Sequence, residues 1–238
     1  MKKKPKYNVV VMGATGAVGE EMLKILEERG FPVAELKLLA SARSVGRKYS
    51  FKGKEYQVEE LTEDSFCGID IVLASAGGAL SKKYNPHAVK AGAVVVDNTS
   101  AYRMDPDVPL IIPEINPGDI KKHKGIIANP NCSTIIMLVP VFAIHKKNRV
   151  KKVIVSTYQA ASGAGARAMK ELETQARDIL SGKPAKIEIF PHQIAFNLFS
   201  HNSAIGTEGY NEEEIKMIKE TKKIFHDEKI KVAATTVR

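Results

Sequence analysis

The chain is predicted to be an α/β protein, a doubly wound parallel sheet followed by a partial α+β catalytic and dimerisation domain. Three observations predict it. Short β-branched runs alternate with helix-like stretches up to about residue 130. A glycine-rich turn joins the first run to the first helix-like stretch. Past residue 130 the rhythm gives way to two amphipathic helices flanking an irregular segment. The expected division is therefore 1–131 and 132–238.

Tyr7 to Met12 (YNVVVM) reads as a strand, and Gly13-Ala14-Thr15-Gly16-Ala17-Val18-Gly19 follows at once. A helical stretch from Glu20 to Arg29 comes next, with Met22, Leu23 and Leu26 on one face. Strand, glycine turn and helix together are the context of a dinucleotide fingerprint. Gly13 allows the tight turn, Gly16 lets backbone approach a pyrophosphate, and Gly19 allows close helix–strand packing. The helix N-terminus then receives the phosphates, which makes the first domain Rossmann-type. The next strand, Glu35 to Ala40, runs into Ser41-Ala42-Arg43-Ser44 without the acidic residue that NAD sites place there. Arg43 can fork onto a 2′-phosphate, and Ser41 and Ser44 can add hydrogen bonds. NADP is favoured over NAD; a solvated basic turn is the alternative these residues leave open.

Gly46 to Tyr56 has poor periodicity and is assigned no element. Ile69 to Ser75 and Ala93 to Asp97 read as buried strands, with a helix from about Leu80 to Lys90 between them. Asn98 to Asn116 reads as a long polar loop with an apolar island at Leu110 to Ile112. The run Gly125 to Ala128 then leads through Asn129-Pro130-Asn131-Cys132-Ser133-Thr134 into the helix-like run Ile135 to Ile144, which Pro140 should kink or restart. Cys132 is thereby placed at a helix N-terminus, where unpaired N–H groups and the helix dipole favour negative charge. Thiols so placed have lowered pKa values, and the thiolate is the form that attacks carbonyls. A buried Cys acting as a small hydrophobe fits the same local context; the nucleotide fingerprint tips the balance. Farther on, Lys151 to Thr157 and Lys231 to Val237 read as strands, and Ala166 to Leu180 and Glu212 to His226 as amphipathic helices. Ile187 to Phe199 is irregular.

At 238 residues the chain can bury a sizeable core. Its two cysteines exclude a disulfide framework, and Cys67 is read as structural. The longest strongly apolar run, Ile135 to Ile144, is too short to span a bilayer. Met1-Lys2-Lys3-Lys4 faintly mimics a signal peptide, but the apolar run behind it leads straight into the glycine fingerprint, which cleavage would destroy. A net charge of +9 suits anionic ligands. The lysines are scattered and not interleaved with aromatics, so they read as solvated charges, not as a nucleic-acid surface. A cytoplasmic enzyme of small molecules is expected, with no membrane, nucleic-acid or metal partner.

The glycine turn, Ser41-Ala42-Arg43-Ser44, Asn98-Thr99-Ser100-Ala101-Tyr102-Arg103-Met104, Asn129 to Thr134, Gln159-Ala160-Ala161-Ser162-Gly163-Ala164-Gly165 and Glu213-Glu214-Ile215-Lys216 follow one another along the chain. In this order they resemble bacterial-type aspartate-semialdehyde dehydrogenase over essentially the whole chain. N-acetylglutamyl-phosphate reductase, the nearest alternative by fold, carries a glycine-containing sequence before its nucleophile, and Asn131 speaks against it. The resemblance implies that Cys132 attacks the aldehyde of aspartate semialdehyde and that hydride passes to NADP⁺. Phosphate then cleaves the resulting thioester to β-aspartyl phosphate; biosynthesis of lysine, methionine and threonine runs this in reverse. It further implies that Gln159 positions the acyl group, that Arg103 and Lys216 hold phosphate with help from Asn131, and that Glu213 meets the substrate ammonium. Arg238 takes the substrate carboxylate, and Ser162-Gly163 lies by the nicotinamide. A homodimer or homotetramer is implied as well. Read without the resemblance, Glu213 and Lys216 are a solvated i,i+3 pair worth ~0.2–0.5 kcal/mol, Arg103 is a surface charge, Gln159 a polar strand end and Arg238 an unremarkable last residue.

The family also places a base His shortly after the position of Arg238. The six histidines present (His87, His123, His145, His192, His201 and His226) lack that context and are read as surface or packing residues. The chain is accordingly expected to be the first two-thirds of such an enzyme and to be inactive or nearly so as it stands. A non-catalytic NADP-binding relative and a reductase of another acyl phosphate are the competing readings.

Overall fold

A computed structural model describes residues 3–238, so Met1 and Lys2 of the lysine-rich start lie outside the described residues. The chain divides into two compact units, Met1–Pro130 and Asn131–Arg238. The boundary falls one residue before the expected one, so Asn131 belongs with Cys132.

The first unit is a seven-stranded sheet in the order β3-β4-β2-β1-β5-β6-β7. Its strands are β1 (Tyr7–Met12), β2 (Val33–Ala40), β3 (Lys48–Phe51), β4 (Lys54–Glu60), β5 (Ile71–Ala74), β6 (Val94–Asp97) and β7 (Ile126–Ala128). All pairings are parallel except β3 with β4. Val9 to Met12 of β1 are wholly buried, as a strand covered on both faces requires. Their alternation sends Val9 and Val11 to one core, with Leu23 of helix α1 (Ala17–Glu28), and Val10 and Met12 to the other, with Ala88 of helix α2 (Gly78–Lys90).

The stretch assigned no element, Gly46 to Tyr56, is in fact the β3–β4 edge hairpin. Its two-residue loop, Lys52-Gly53, has φ of 50° and 74°, the doubly positive pattern that suits a tight hairpin. Lys52 is held there by its N–H donating to Glu27 Oε1 and its Nζ donating to the Phe31 carbonyl. Cys67, read as structural, is exposed.

The second unit has helices α3 (Cys132–His145), α4 (Ala166–Leu180) and α5 (Glu212–Phe225), and strands β8 (Lys152–Tyr158) and β9 (Lys231–Val237). The two strands pair in parallel, Lys152 with Lys231 through Tyr158 with Val237. This pairing brings Gln159 and Arg238, the residues following each strand, to one end of the sheet. Pro140 does not divide α3. The helix runs through it with Pro140 on its exposed side, where the Ile136 carbonyl that loses its N–H partner can turn to water.

Candidate active site

In the first unit, strand order reverses about β1, which has β2 on one side and β5 on the other. Ligands of open α/β sheets bind outside the carboxyl ends of the strands at such a switch point. Three loops meet there. Gly13 (φ 88°) leaves β1 with its N–H donating to the Leu39 carbonyl of β2. A Cβ on Gly13 would lie 2.6 Å from the Ser75 carbonyl oxygen in the loop after β5. A Cβ on Gly19 would strike the Gly13 carbonyl and lie 2.7 Å from Ala14 Cα. These glycines therefore keep room for the turn itself, while Gly16 has ordinary space around it.

Gly16 is also the N-cap of α1, and no side chain caps the first turn, which Ala17 and Val18 begin. Thr15 Oγ1 donates to Ser44 Oγ at 3.4 Å, tying the glycine turn to the loop after β2. In that loop Ser44 is buried, and Ser41 and Arg43 are exposed. Arg103 also belongs to the first unit. It is buried, so its reading as a surface charge is corrected: Nε donates to the Asn129 carbonyl and Nη2 to the Asn98 carbonyl, each at 2.9 Å.

The thiol stands in the second unit. Cys132 is the first residue of α3 and is exposed, between buried Asn131 and Ser133. Asn131 is the N-cap: its Oδ1 accepts from Ser133 N at 3.0 Å and Thr134 N at 3.4 Å, as an N-cap Asn does. These two N–H groups, expected to be unpaired beside the sulfur, are thus already satisfied. Asn131 Nδ2 donates to Glu213 Oε1 at 2.9 Å. With both side-chain ends engaged, Asn131 serves first as a structural clamp.

Gln159 Nε2 donates to Ser133 Oγ at 3.0 Å and to Glu213 Oε1 at 3.1 Å. Glu213 sits in the first turn of α5. Asn211 caps that helix in a capping box with Glu214, and both bond Thr236 of β9. Glu213 therefore lies near the end of β9 by construction. Its side chain is only 5% exposed, and Lys216 Nζ is 3.5 Å away, so the two are no solvated surface pair. Burial pushes the Glu213 carboxyl up, but the bonds from Asn131 and Gln159 and the charge of Lys216 outweigh it and leave it below its ordinary value.

Arg238 Nη1 donates to Asn202 Oδ1 at 3.2 Å, while its Nε is buried without an acceptor. Burial lowers its guanidinium from the ordinary value, and the charges of Glu213 and Cys132 oppose the shift. A Cβ on Gly163 would stand 3.0 Å from Arg238 Nη2. The exposed Ser162-Gly163 turn thus lies against this guanidinium.

His201 corrects its reading as a surface or packing residue. Its Nε2 is 3.9 Å from Glu213 Oε2, with side-chain exposures of 10% and 5%. Burial, the largest influence, lowers the imidazole below its ordinary value; Glu213 opposes, and Arg238 and Lys216 reinforce the lowering. The native state then binds fewer protons than the unfolded chain just below the ordinary His range, so His201 removes stability as pH falls there. We expect His201→Asn to lose less unfolding free energy than the parent between about pH 7 and pH 5, as read by urea titrations. An equal loss in both would contradict this placement.

A glycine turn at a sheet switch point, followed in the chain by a helix-borne thiol among ionisable groups, defines a two-unit, dinucleotide-dependent oxidoreductase. Residues 8–123 match the semialdehyde dehydrogenase NAD binding domain, and residues 141–238 match the semialdehyde dehydrogenase dimerisation domain. The chain belongs to the aspartate-semialdehyde dehydrogenase family. The aspartate-semialdehyde dehydrogenase of Aquifex aeolicus is 57% identical over 236 residues, covering 98% of this chain and 69% of that protein. That of Synechocystis is 54% identical over 230 residues, covering 97% and 68%. The crystal structure of aspartate semialdehyde dehydrogenase II from Vibrio cholerae, complexed with ASA, aligns with a TM-score of 0.97 at 48% identity over 99% of this chain and 70% of that one. No helix among the described residues is long and apolar enough to cross a membrane.

Proposed function

We propose that the protein interconverts L-aspartyl-4-phosphate and L-aspartate 4-semialdehyde with NADP, through a thioester on Cys132. The observation that carries this is the grouping of Cys132, Gln159, Glu213 and Arg238 around one end of the second unit's sheet. A thiol serves both directions because it attacks well and leaves well. Arg238 is the group we assign to the substrate carboxylate, since its buried Nε has a proton to give and no acceptor. Glu213 is ionised and presents Oε2 to the substrate ammonium. Gln159 and Asn131 hold Glu213, and Gln159 reaches Ser133 beside the sulfur. Lys216 and Arg103 are assigned to phosphate on the family resemblance.

The first unit fits NADP. Its glycine turn leaves the first turn of α1 without a side-chain cap, which suits a phosphate, and Arg43, Ser41 and Ser44 follow β2 without an acid. Bound there, the cofactor supplies or accepts the hydride. Arg43→Ala should weaken NADPH about 10- to 100-fold and NADH by less than threefold, measured by fluorescence titration. Equal losses would remove the 2′-phosphate role.

We place the reaction in the cytoplasm, early in the biosynthesis of the aspartate-derived amino acids. Self-assembly through the second unit is supported by the apolar side chains it exposes, Ile154 (74%) and Tyr158 (81%) on β8 and Ile136 (75%) on α3. The direct test is phosphate-dependent NADPH formation from the semialdehyde, assayed with the chain continued through the length its relatives have. Formation without phosphate, or none with it, rejects the proposal.

A further inference from the structure

Glu220 is a buried carboxylate, 1% exposed, for which the mechanism above has no use. It lies seven residues after Glu213 on α5, two helical turns along the same face. Both carboxylates turn onto one residue. Glu220 Oε2 accepts the backbone N–H of Asn131 at 2.7 Å, and Glu213 Oε1 accepts the Asn131 side-chain amide at 2.9 Å. The Asn131 side-chain oxygen caps α3, and its carbonyl accepts from Ile135 N at 3.0 Å. Every polar group of the residue before the thiol is therefore held, two of them by α5.

We propose that Glu220 is a positioning residue for Cys132: by gripping the Asn131 amide it sets the chain direction from which the thiol projects. The proposal rests on Cys132 being the nucleophile. Several features make the grip effective. A hydrogen bond from a backbone amide to a buried carboxylate is short, and stronger than a neutral one. The Asn131 backbone is extended (φ −60°, ψ 144°) immediately before the helical Cys132, so a rotation at Asn131 swings the Cys132 Cα–Cβ bond. A displacement near 1 Å at a reacting group can cost about 10²-fold in rate. The charge strengthens the bond, but the direction of the amide is set by an acceptor at the reach of a glutamate.

That distinction sets the test. Glu220→Gln keeps the reach and an acceptor oxygen. Glu220→Asp keeps the charge and is one methylene too short. The alkylation rate of Cys132 by iodoacetamide is followed by peptide mass spectrometry, with Cys67 of the first unit as the internal reference. We expect the Cys132-to-Cys67 rate ratio to stay within about threefold of the parent in Glu220→Gln and to fall on the order of tenfold in Glu220→Asp. Equal ratios in the two variants, unchanged or both reduced, would overturn the positioning role. A merely structural Glu220 would lower the unfolding midpoint and leave the ratio alone. The reading of Cys132 as nucleophile fails separately, if the parent shows no preference for Cys132 over Cys67.

Discussion

In the full-length protein of the phosphate-dependent assay, serine in place of Cys132 should cut turnover by about 10³-fold or more while NADPH affinity stays within about twofold of the parent. The substitution is nearly isosteric at the first position of α3. The cap from Asn131 uses the N–H groups of residues 133 and 134 and does not involve the side chain at 132. Fold and cap should therefore survive. What is lost is chemical: a serine hydroxyl is a far weaker nucleophile at neutral pH, and an oxygen ester resists phosphate more than a thioester does. The nucleotide loops lie in the first unit, so cofactor affinity reports separately on folding. Substantial turnover in Cys132→Ser would take the sulfur out of the mechanism.

Alanine at Gly19 is the second large effect expected. Its Cβ would strike the Gly13 carbonyl and crowd Ala14 Cα at 2.7 Å and its carbonyl carbon at 2.9 Å, all backbone atoms. Backbone cannot yield as a flexible side chain can, so the helix must lift from the turn. We expect a loss of roughly 2–4 kcal/mol in the stability of the first unit and loss of nucleotide binding with it. Gly16→Ala is the contrast. Its φ is an ordinary −88°, and its Cβ would find only the Gly13 carbonyl at 3.4 Å. That variant should keep its unfolding midpoint and still bind NADPH more weakly, because backbone must approach the pyrophosphate there. Thermal unfolding and fluorescence titration of the pair decide it: equal midpoints would show that Gly19 is not needed for helix packing.

Much of the architecture was legible because it is written in local patterns. The bounds of α4 and β9 match those read from periodicity, and the glycine turn stands at the expected strand end. The β3–β4 hairpin is not legible in the sequence because an edge strand such as KEYQVEE is mostly charged and buries little besides Val58. Such residues are depleted in strands, and one buried position makes no alternation. Site residues were legible only where chemistry and position coincide, as for Cys132. His201 has no local signal: it reaches Glu213 because the 199–201 segment hydrogen-bonds back along the end of β9, with Phe199 and Arg238 exchanging two backbone bonds. Asn131 does carry a signal, since Asn before a helical run is a common N-cap, and here it caps the helix that Cys132 begins.

The parallel pairing of β8 with β9 governs when the thiol's surroundings can form. Parallel neighbours need a long crossover, and here it contains α4, the irregular segment and α5. Closing such a loop is entropically costly, so contacts of this separation tend to be made late as the polypeptide organises. Gln159, Glu213 and Arg238 come together only when that crossover closes, whereas the helix bearing Cys132 is a local structure. During refolding, the sulfur should therefore be presented before the groups meant to surround it, and a pulse of thiol reagent at early times would find it unguarded.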